Sequence, residues 1–325
     1  MYSGQQKLNM YELLVLARKY CLGIQKACFD GKIIGMHHLG TGEEAIGTAV
    51  AFATGEDDWI TPMQRWQAVW LKRVGLELHS AEQFGKVTGL GKGMCCDLHV
   101  AYPEQKIMYN NCLMGSNPAI ASGFSYGLKL QNKGQVHVAG VGDGSFNEGL
   151  VYEAMELAVE NKCPLVIVLH DNGWGMSYKA DRYWGSLGSR ADAFGMPSIT
   201  VDGNDILATR AAMDYAVDKA RRGTPNLVHA KTHRWYGHFV GDDQSYEDAE
   251  ETKWFRENDD PVKRYEKVLK AEGLLTADSI ENISKKLDEQ IAAAWLENIA
   301  AAFPGRSLVL DKTKVYAKPW EGDEE

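Results

Sequence analysis

The sequence predicts an α/β fold: a mostly parallel sheet with helices on both faces. Two short apolar runs, Val136-His137-Val138-Ala139-Gly140-Val141 and Leu165 to Leu169, have the character of buried strands. Between them Leu150, Ala154, Leu157 and Ala158 recur at i, i+4, i+7 and i+8 as one helix face. Strand, helix and strand within about 35 residues make a parallel crossover unit, and its right-handed connection sets both strand C-termini side by side.

The other elements follow in chain order. Residues 8–29 read as a helix with Leu14, Leu16, Ala17 and Cys21 on its apolar face, and the segment before Gly40 ends in Met36-His37-His38. A helix from about Glu43 to Thr54 precedes an acidic turn, Gly55-Glu56-Asp57-Asp58, and a short strand, Trp59-Ile60-Thr61. Residues 116–131 form a helix of small side chains, Ala119 to Leu130, able to pack closely on a sheet. Asn226-Leu227-Val228-His229-Ala230 reads as a further buried strand. His233 to Asp242 then form the loop at its C-terminal end, where open parallel sheets bind ligands. A last helix repeats Ile280, Ile283, Leu287, Ile291, Ala294 and Leu296 at the spacing of core packing. No Pro/Gly/Ser-rich linker or internal repeat marks a boundary, so residues 1–317 are expected to form one α/β domain with an N-terminal helix and a C-terminal helical extension. Residues 318–325, ending Gly-Asp-Glu-Glu, are expected to be a frayed tail.

Composition narrows the function classes. With 325 residues and 45% hydrophobic content the chain can bury one large core. A net charge of −9 argues against nucleic acid as the main partner. No apolar run is long enough to span a bilayer, and residues 1–20 carry polar and charged side chains throughout, unlike a signal peptide. The six cysteines, at 21, 28, 95, 96, 112 and 163, match neither a zinc pattern nor a disulfide framework, and are read as buried free thiols. A soluble, cytoplasmic chain is the expectation.

The chemistry concentrates in Gly142-Asp143-Gly144 and in Asn172, 29 positions on. Mg²⁺ takes few side-chain oxygens and completes its octahedron from phosphates, backbone carbonyls and water, so an Asp and an Asn at adjacent strand ends suit it. Flanking glycines let the backbone approach a diphosphate, and a helix beginning near Ser145 would present its N–H groups and positive dipole end to the anion. The tripeptide alone is also an ordinary turn. The crossover unit and the Asn make the pair specific.

These residues resemble the thiamine diphosphate signature, and more narrowly the α subunit of the thiamine-dependent component of 2-oxo acid and acetoin dehydrogenase complexes. The similarity covers about residues 8–317 and includes Thr41-Gly42-Glu43-Glu44-Ala45, Gly91-Lys92-Gly93 with His99, Leu113-Met114-Gly115 with Pro118, and Val201-Asp202-Gly203-Asn204-Asp205-Ile206. A last motif, His233-Arg234-Trp235-Tyr236-Gly237-His238-Phe239-Val240-Gly241-Asp242, is most similar to the acetoin branch. The resemblance implies the thiamine diphosphate-binding fold and an enzyme using thiamine diphosphate and Mg²⁺. Its reaction would cleave the C–C bond beside a carbonyl in a small keto substrate, a 2-oxo acid such as pyruvate or acetoin. The acyl unit would pass to a lipoyl domain or acyl carrier protein. A β subunit would complete the site in an α₂β₂ heterotetramer.

By the same resemblance, cofactor contacts fall on Gln64, Arg65, Cys112, Met114, Gly142, Asp143, Gly144, Ser145, Asn172, Gly175, Met176 and His238, and the metal set is Asp143, Asn172 and Trp174. His238 and Arg234 take the catalytic roles. Imidazole suits proton transfer and charge stabilisation near neutral pH, although a loop histidine can equally be satisfied by backbone. The Arg65 guanidinium suits phosphate oxygens, although an isolated Arg can be a surface charge. A segment from Ser177 to Arg190, with Arg182, Tyr183 and Ser189, corresponds to a mobile active-site segment.

The chain departs from the pattern at Met63-Gln64-Arg65-Trp66-Gln67-Ala68-Val69-Trp70, where Gln64 and Gln67 replace aromatic or ionisable groups. Glutamine can hydrogen-bond a phosphate or a substrate hydroxyl but cannot serve as acid or base. Met94-Cys95-Cys96-Asp97 likewise replaces a glycine-serine run. A transketolase-like variant, moving a two-carbon unit from a ketose with His37, His38 and His99 near the site, is therefore the second reading. A non-catalytic scaffold subunit is the third, opposed by Asp143, Asn172 and His238.

Overall fold

A computed structural model describes residues 2–96, 98–182 and 185–311. The elements run α1 (Gly4–Phe29), α2 (Glu44–Ala53), β1 (Trp59–Thr61), α3 (Gln67–Arg73), α4 (Leu76–Gln83), α5 (Ser116–Gln131), β2 (His137–Gly142), α6 (Gly149–Glu160) and β3 (Leu165–Asp171). A two-stranded hairpin, β4 (Trp174–Gly175) and β5 (Tyr178–Lys179), leads to α7 (Leu187–Ala193), β6 (Ser198–Asp202), α8 (Ile206–Arg221) and β7 (Asn226–Lys231). The chain closes with α9 (Ala249–Asn258), α10 (Pro261–Ala271), α11 (Ala277–Ala300) and α12 (Arg306–Val309). The Ser177–Arg190 segment thus contains a strand and the start of a helix, and its Tyr183 lies outside the described residues, as does the 318–325 tail.

β1, β2, β3, β7 and β6 form one five-stranded sheet in that order, and every pairing is parallel. A strand alternates its side chains between the two faces, so a continuous apolar run is buried only if both faces are covered. Val138, Val166, Val168 and Val228 pack with Ile46 and Val50 of α2 and Met213 and Ala216 of α8. Ala139, Val141, Ile167, Leu169 and Leu227 pack on the other face with Val151 and Met155 of α6 and Leu187 of α7. Helices on both faces are therefore observed, as expected. A third cluster joins Met10 and Leu14 of α1 to Tyr265 and Leu269 of α10 and Leu287 of α11, which ties the C-terminal helices to the N-terminal one.

Three local expectations are corrected. The buried face of α6 is Val151, Ala154, Met155 and Ala158, while Leu150 and Leu157 are 42% and 40% exposed. At 100° per residue those two leucines lie on the flank of the helix facing away from the sheet. On α11, Leu296 is 73% exposed, and the buried positions are Leu287, Ile291, Ala294 and Asn298. No α-helix begins at Ser145: Ser145–Asn147 form a 3₁₀ turn, and α6 starts at Gly149. Among the described residues no helix is long and apolar enough to cross a membrane.

Candidate functional site

Parallel pairing of β2 with β3 sets Gly142 opposite His170. Asp143 therefore leaves the sheet beside Asp171 and Asn172, and Asp143 and Asn172 both line one cavity of about 700 Å³ at the C-terminal edge of the strands. That volume is the size of a site for a cofactor. Gln64, Arg65, Cys112, Met114, Gly142, Gly144, Ser145, Trp174, Gly175, Met176 and His238 line the same cavity. The predicted cofactor residues are thus brought together. Arg234 is not among the lining residues: it is 1% exposed and spends its Nη2 on Tyr246 Oη at 2.8 Å and Glu247 Oε1 at 2.5 Å. Its geometry is that of a positioning residue.

A network behind the cavity holds the wall in place. The indole N–H of Trp66 donates to His170 Nδ1 at 3.0 Å, and because an indole can only donate, the ring proton of His170 sits on Nε2. Nε2–H then donates to Glu43 Oε2 at 2.5 Å, and Asn172 Nδ2 donates to the same oxygen at 2.9 Å. Asn172 Oδ1 in turn accepts the Trp174 backbone N–H at 3.2 Å. Glu43 Oε1 lies 3.8 Å from Arg65 Nη1. Burial alone would push the Glu43 carboxyl up, but Arg65, His170 and Asn172 together outweigh it and hold it down at about 2. Glu43, Trp66, His170 and Asp171 were not singled out from sequence. Glu43 and Trp66 stood inside quoted motifs, and their pairing with residues more than a hundred positions away leaves no local signal.

The two sides of the cavity ask for opposite charges. Asp143 Oδ1 accepts the Gly144 N–H at 2.6 Å, whereas Oδ2 is buried without a donor among the described residues. Burial first, then the neighbouring Asp171 and Glu43 carboxylates, raise the Asp143 carboxyl well above its ordinary range. Such a group is stabilised by a bound cation. Arg65 is also buried, with Nη1 donating to Leu39 O at 2.5 Å and Nη2 to His238 O at 2.8 Å. Burial and the nearby Arg234 guanidinium both disfavour the Arg65 charge, although Glu43 and Asp143 oppose them. An anion in the cavity relieves that strain. A cation-seeking carboxylate, Asp143, and an anion-seeking guanidinium, Arg65, on one cavity wall fit a metal bound to a diphosphate. Among the described residues no three His, Cys, Asp or Glu side chains cluster as a metal cage.

His238 packs edge-on against His38, with ring centroids 4.9 Å apart. Burial, then Arg65, His38 and Arg234, push its ring down to about 3, so it is a neutral imidazole near pH 7 and not the cation that proximity to a diphosphate alone suggests. Its loop is pinned by Asp242 Oδ2, which accepts the His238 N–H at 2.6 Å and the Tyr246 hydroxyl at 2.5 Å.

Gln67 does not reach the cavity. Its Nε2 donates to His38 O at 2.9 Å and Gln64 O at 2.7 Å, so it clasps two wall segments together, while Gln64 itself lines the cavity. His37 is buried against Gln83, and His99 is exposed; of the three histidines considered, only His38 joins the wall. The cysteines are free, but only Cys21 and Cys163 are buried, and Cys112 is exposed.

Comparison with known proteins identifies the family. The sequence pattern of the dehydrogenase E1 component family matches residues 13–304. The α subunit of acetoin:2,6-dichlorophenolindophenol oxidoreductase from Bacillus subtilis (strain 168) is 31% identical over 98% of this chain and 96% of its own. The corresponding protein of Cupriavidus necator is 32% identical over 88% of this chain and 86% of its own. The pyruvate dehydrogenase E1 component α subunit of Zymomonas mobilis is 31% identical over 88% of this chain and 81% of its own.

Proposed function

Because the chain belongs to the dehydrogenase E1 component family, we propose that it is the α subunit of a thiamine diphosphate- and Mg²⁺-dependent enzyme that cleaves the C–C bond beside a carbonyl. The substrate is a 2-oxo acid such as pyruvate, or acetoin, and the acyl unit passes to a lipoyl carrier. One observation carries the reading: an Asp143 oxygen that is desolvated and without a donor among the described residues, and the buried Arg65 charge, face one cavity, where a metal-diphosphate satisfies both.

When bound, the cofactor supplies the reactive carbon and the electron sink for the cleavage. The residues of this chain do the rest. Asp143, Asn172 and the Trp174 backbone hold the cation, and Arg65, Gln64, Ser145 and the amides around Gly144 hold the diphosphate. Neutral His238 would offer its ring N–H as a hydrogen-bond donor to charge developing on the substrate. Arg234 works behind it, through Tyr246 and Asp242.

A β subunit completes the site in an α₂β₂ assembly within the cytoplasm. α5 and α6, which pack on each other, leave Leu130, Leu150 and Leu157 exposed, and at Gly123 and Gly127 nothing lies within 4 Å of where a Cβ would stand. An uncovered face of this kind supports a further chain. Residues 1–317 act as one diphosphate-binding domain, a reading supported by the core shared between α1, α10 and α11.

The relatives are acetoin and pyruvate enzymes, which favours this reading over the transketolase-like variant. Their identities, 31% and 31%, do not separate the two substrates. Calorimetry on the chain co-expressed with its β subunit should show thiamine diphosphate binding that depends on Mg²⁺; absence of binding sinks the proposal. Offered pyruvate, acetoin or a ketose phosphate, the complex should acylate a lipoyl domain from the first or second. Transfer from the ketose alone would establish the variant instead.

A further inference from the structure

Cys112 is an exposed residue on the cavity wall, and its thiol is not isolated. Its Sγ lies 3.2 Å from His99 Nε2, and His99 Nδ1 lies 2.9 Å from the Tyr109 hydroxyl. With Nδ1–H donating to the Tyr109 oxygen, Nε2 presents its lone pair to the thiol. The Tyr109 hydroxyl is able to accept this proton, and in that tautomer the imidazole serves as base. His99 adopts a left-handed backbone, φ 63°, which is uncommon for a residue with a side chain and aims the ring at Cys112.

Cys21, Cys95 and Cys163 lack this combination of access and base, and Cys96 faces a buried one. Cys21 and Cys163 are buried, and burial pushes both thiols up, Cys21 to about 12. Cys95 is half-buried and raised by burial and by the Glu82 carboxylate. Cys96 stands 3.6 Å from His37 Nε2, and that histidine is 1% exposed.

We propose that Cys112 is a nucleophilic thiol, with His99 as its base, that exchanges with a small disulfide, and that the adduct excludes the diphosphate from the cavity. The thiol proton moves to His99 Nε2, and the sulfur attacks the near sulfur of the disulfide R–S–S–R. That S–S bond breaks, its electron pair leaves on the far sulfur, and the departing thiolate takes the proton from His99 to become R–SH. Cys112 is oxidised to a mixed disulfide and one sulfur of the reagent is reduced, so the step balances. The bound R group then lies among Leu98, Leu113 and Met114, which line the same cavity. The thiol chemistry stands without any statement about the cofactor; only the exclusion rests on the thiamine diphosphate reading.

The probe is oxidised glutathione, applied to the full-length chain with its β subunit, with adduct sites followed by peptide mass spectrometry. The adduct should appear on Cys112 before Cys28, Cys95 or Cys96. His99→Asn, which keeps a side chain tolerant of the left-handed backbone, should slow it tenfold or more. The modified protein should lose calorimetric binding of thiamine diphosphate and regain it on reduction, whereas C112S should bind equally before and after treatment. First reaction at another cysteine, or an unchanged rate in His99→Asn, overturns the nucleophile. Full diphosphate binding by protein modified at Cys112 overturns the exclusion. If untreated protein binds no thiamine diphosphate, the functional reading fails, and the labelling order still decides the thiol.

Discussion

Glu43 and His170, 127 positions apart, meet through a 2.5 Å hydrogen bond from Nε2–H to Oε2, in a direction dictated by Trp66 on the far side of the ring. The same carboxylate is the nearest negative charge to Arg65. Glu43→Gln keeps an acceptor for His170 and Asn172 but leaves Arg65 buried without its counter-charge, a loss of about 3 kcal/mol. Urea unfolding should show it. Because the folded carboxyl sits near 2, below its ordinary value, this stabilisation is present above about pH 4.5 and fades as pH falls toward 2. A variant as stable as the parent would mean that Glu43 is not the anchor.

Asp143→Asn is expected to have opposite effects on stability and binding. The substitution removes a desolvated carboxylate that other carboxylates repel, so the ligand-free protein should gain about 1–2 kcal/mol near pH 7.5. It also removes the cation ligand, so Mg²⁺ with thiamine diphosphate should no longer raise the melting temperature. Thermal shift with and without both ligands checks both halves. A ligand-free midpoint below the parent's contradicts the argument.

His137, at the buried start of β2 with Thr61 Oγ1 2.8 Å from its Nε2, is pushed down to about 3 by burial. Between about pH 6.5 and that value the unfolded chain binds a proton here that the folded chain does not. Stability therefore falls with acidity, by up to about 1.4 kcal/mol per pH unit from this group. His137→Gln should flatten the pH dependence of unfolding between about pH 4 and 6 by roughly that slope. An unchanged slope would show that the ring is already charged in the fold.

A Cβ at Gly40 would stand 2.2 Å from Arg65 O and 2.9 Å from Gln67 Oε1. Gly40→Ala must push the Arg65 backbone aside, at a cost of about 1–3 kcal/mol, and should weaken diphosphate binding at least tenfold by calorimetry. Gly123→Ala, in α5 with nothing within 4 Å, is the steric control expected not to destabilise the chain.

What the sequence disclosed follows a physical division. Asp143 and Asn172 were legible because a strand, a glycine turn and a crossover helix are local patterns, and the handedness of that connection does the rest. Leu150, Leu157 and Leu296 were assigned to buried faces because periodicity locates an apolar stripe but not what covers it. Gln67 was grouped with Gln64 because both replace aromatic or ionisable groups of the family pattern, yet its side chain is held by the carbonyls of His38 and Gln64. The Trp66–His170–Glu43–Asn172 chain was invisible: each hydrogen bond but that within the Asn172 turn joins residues over a hundred positions apart.

Arg65 carries one more consequence, for the order in which the protein is made. Its two terminal nitrogens hold the carbonyls of Leu39 and His238, separations of 26 and 173 residues. During synthesis at about 5–20 residues per second, the residues around Arg65 leave the ribosome many seconds before the segment that closes over them. Until then the guanidinium has only one of its two carbonyl partners. The cavity wall that Arg65 helps to build is therefore complete only after residue 238 has been made.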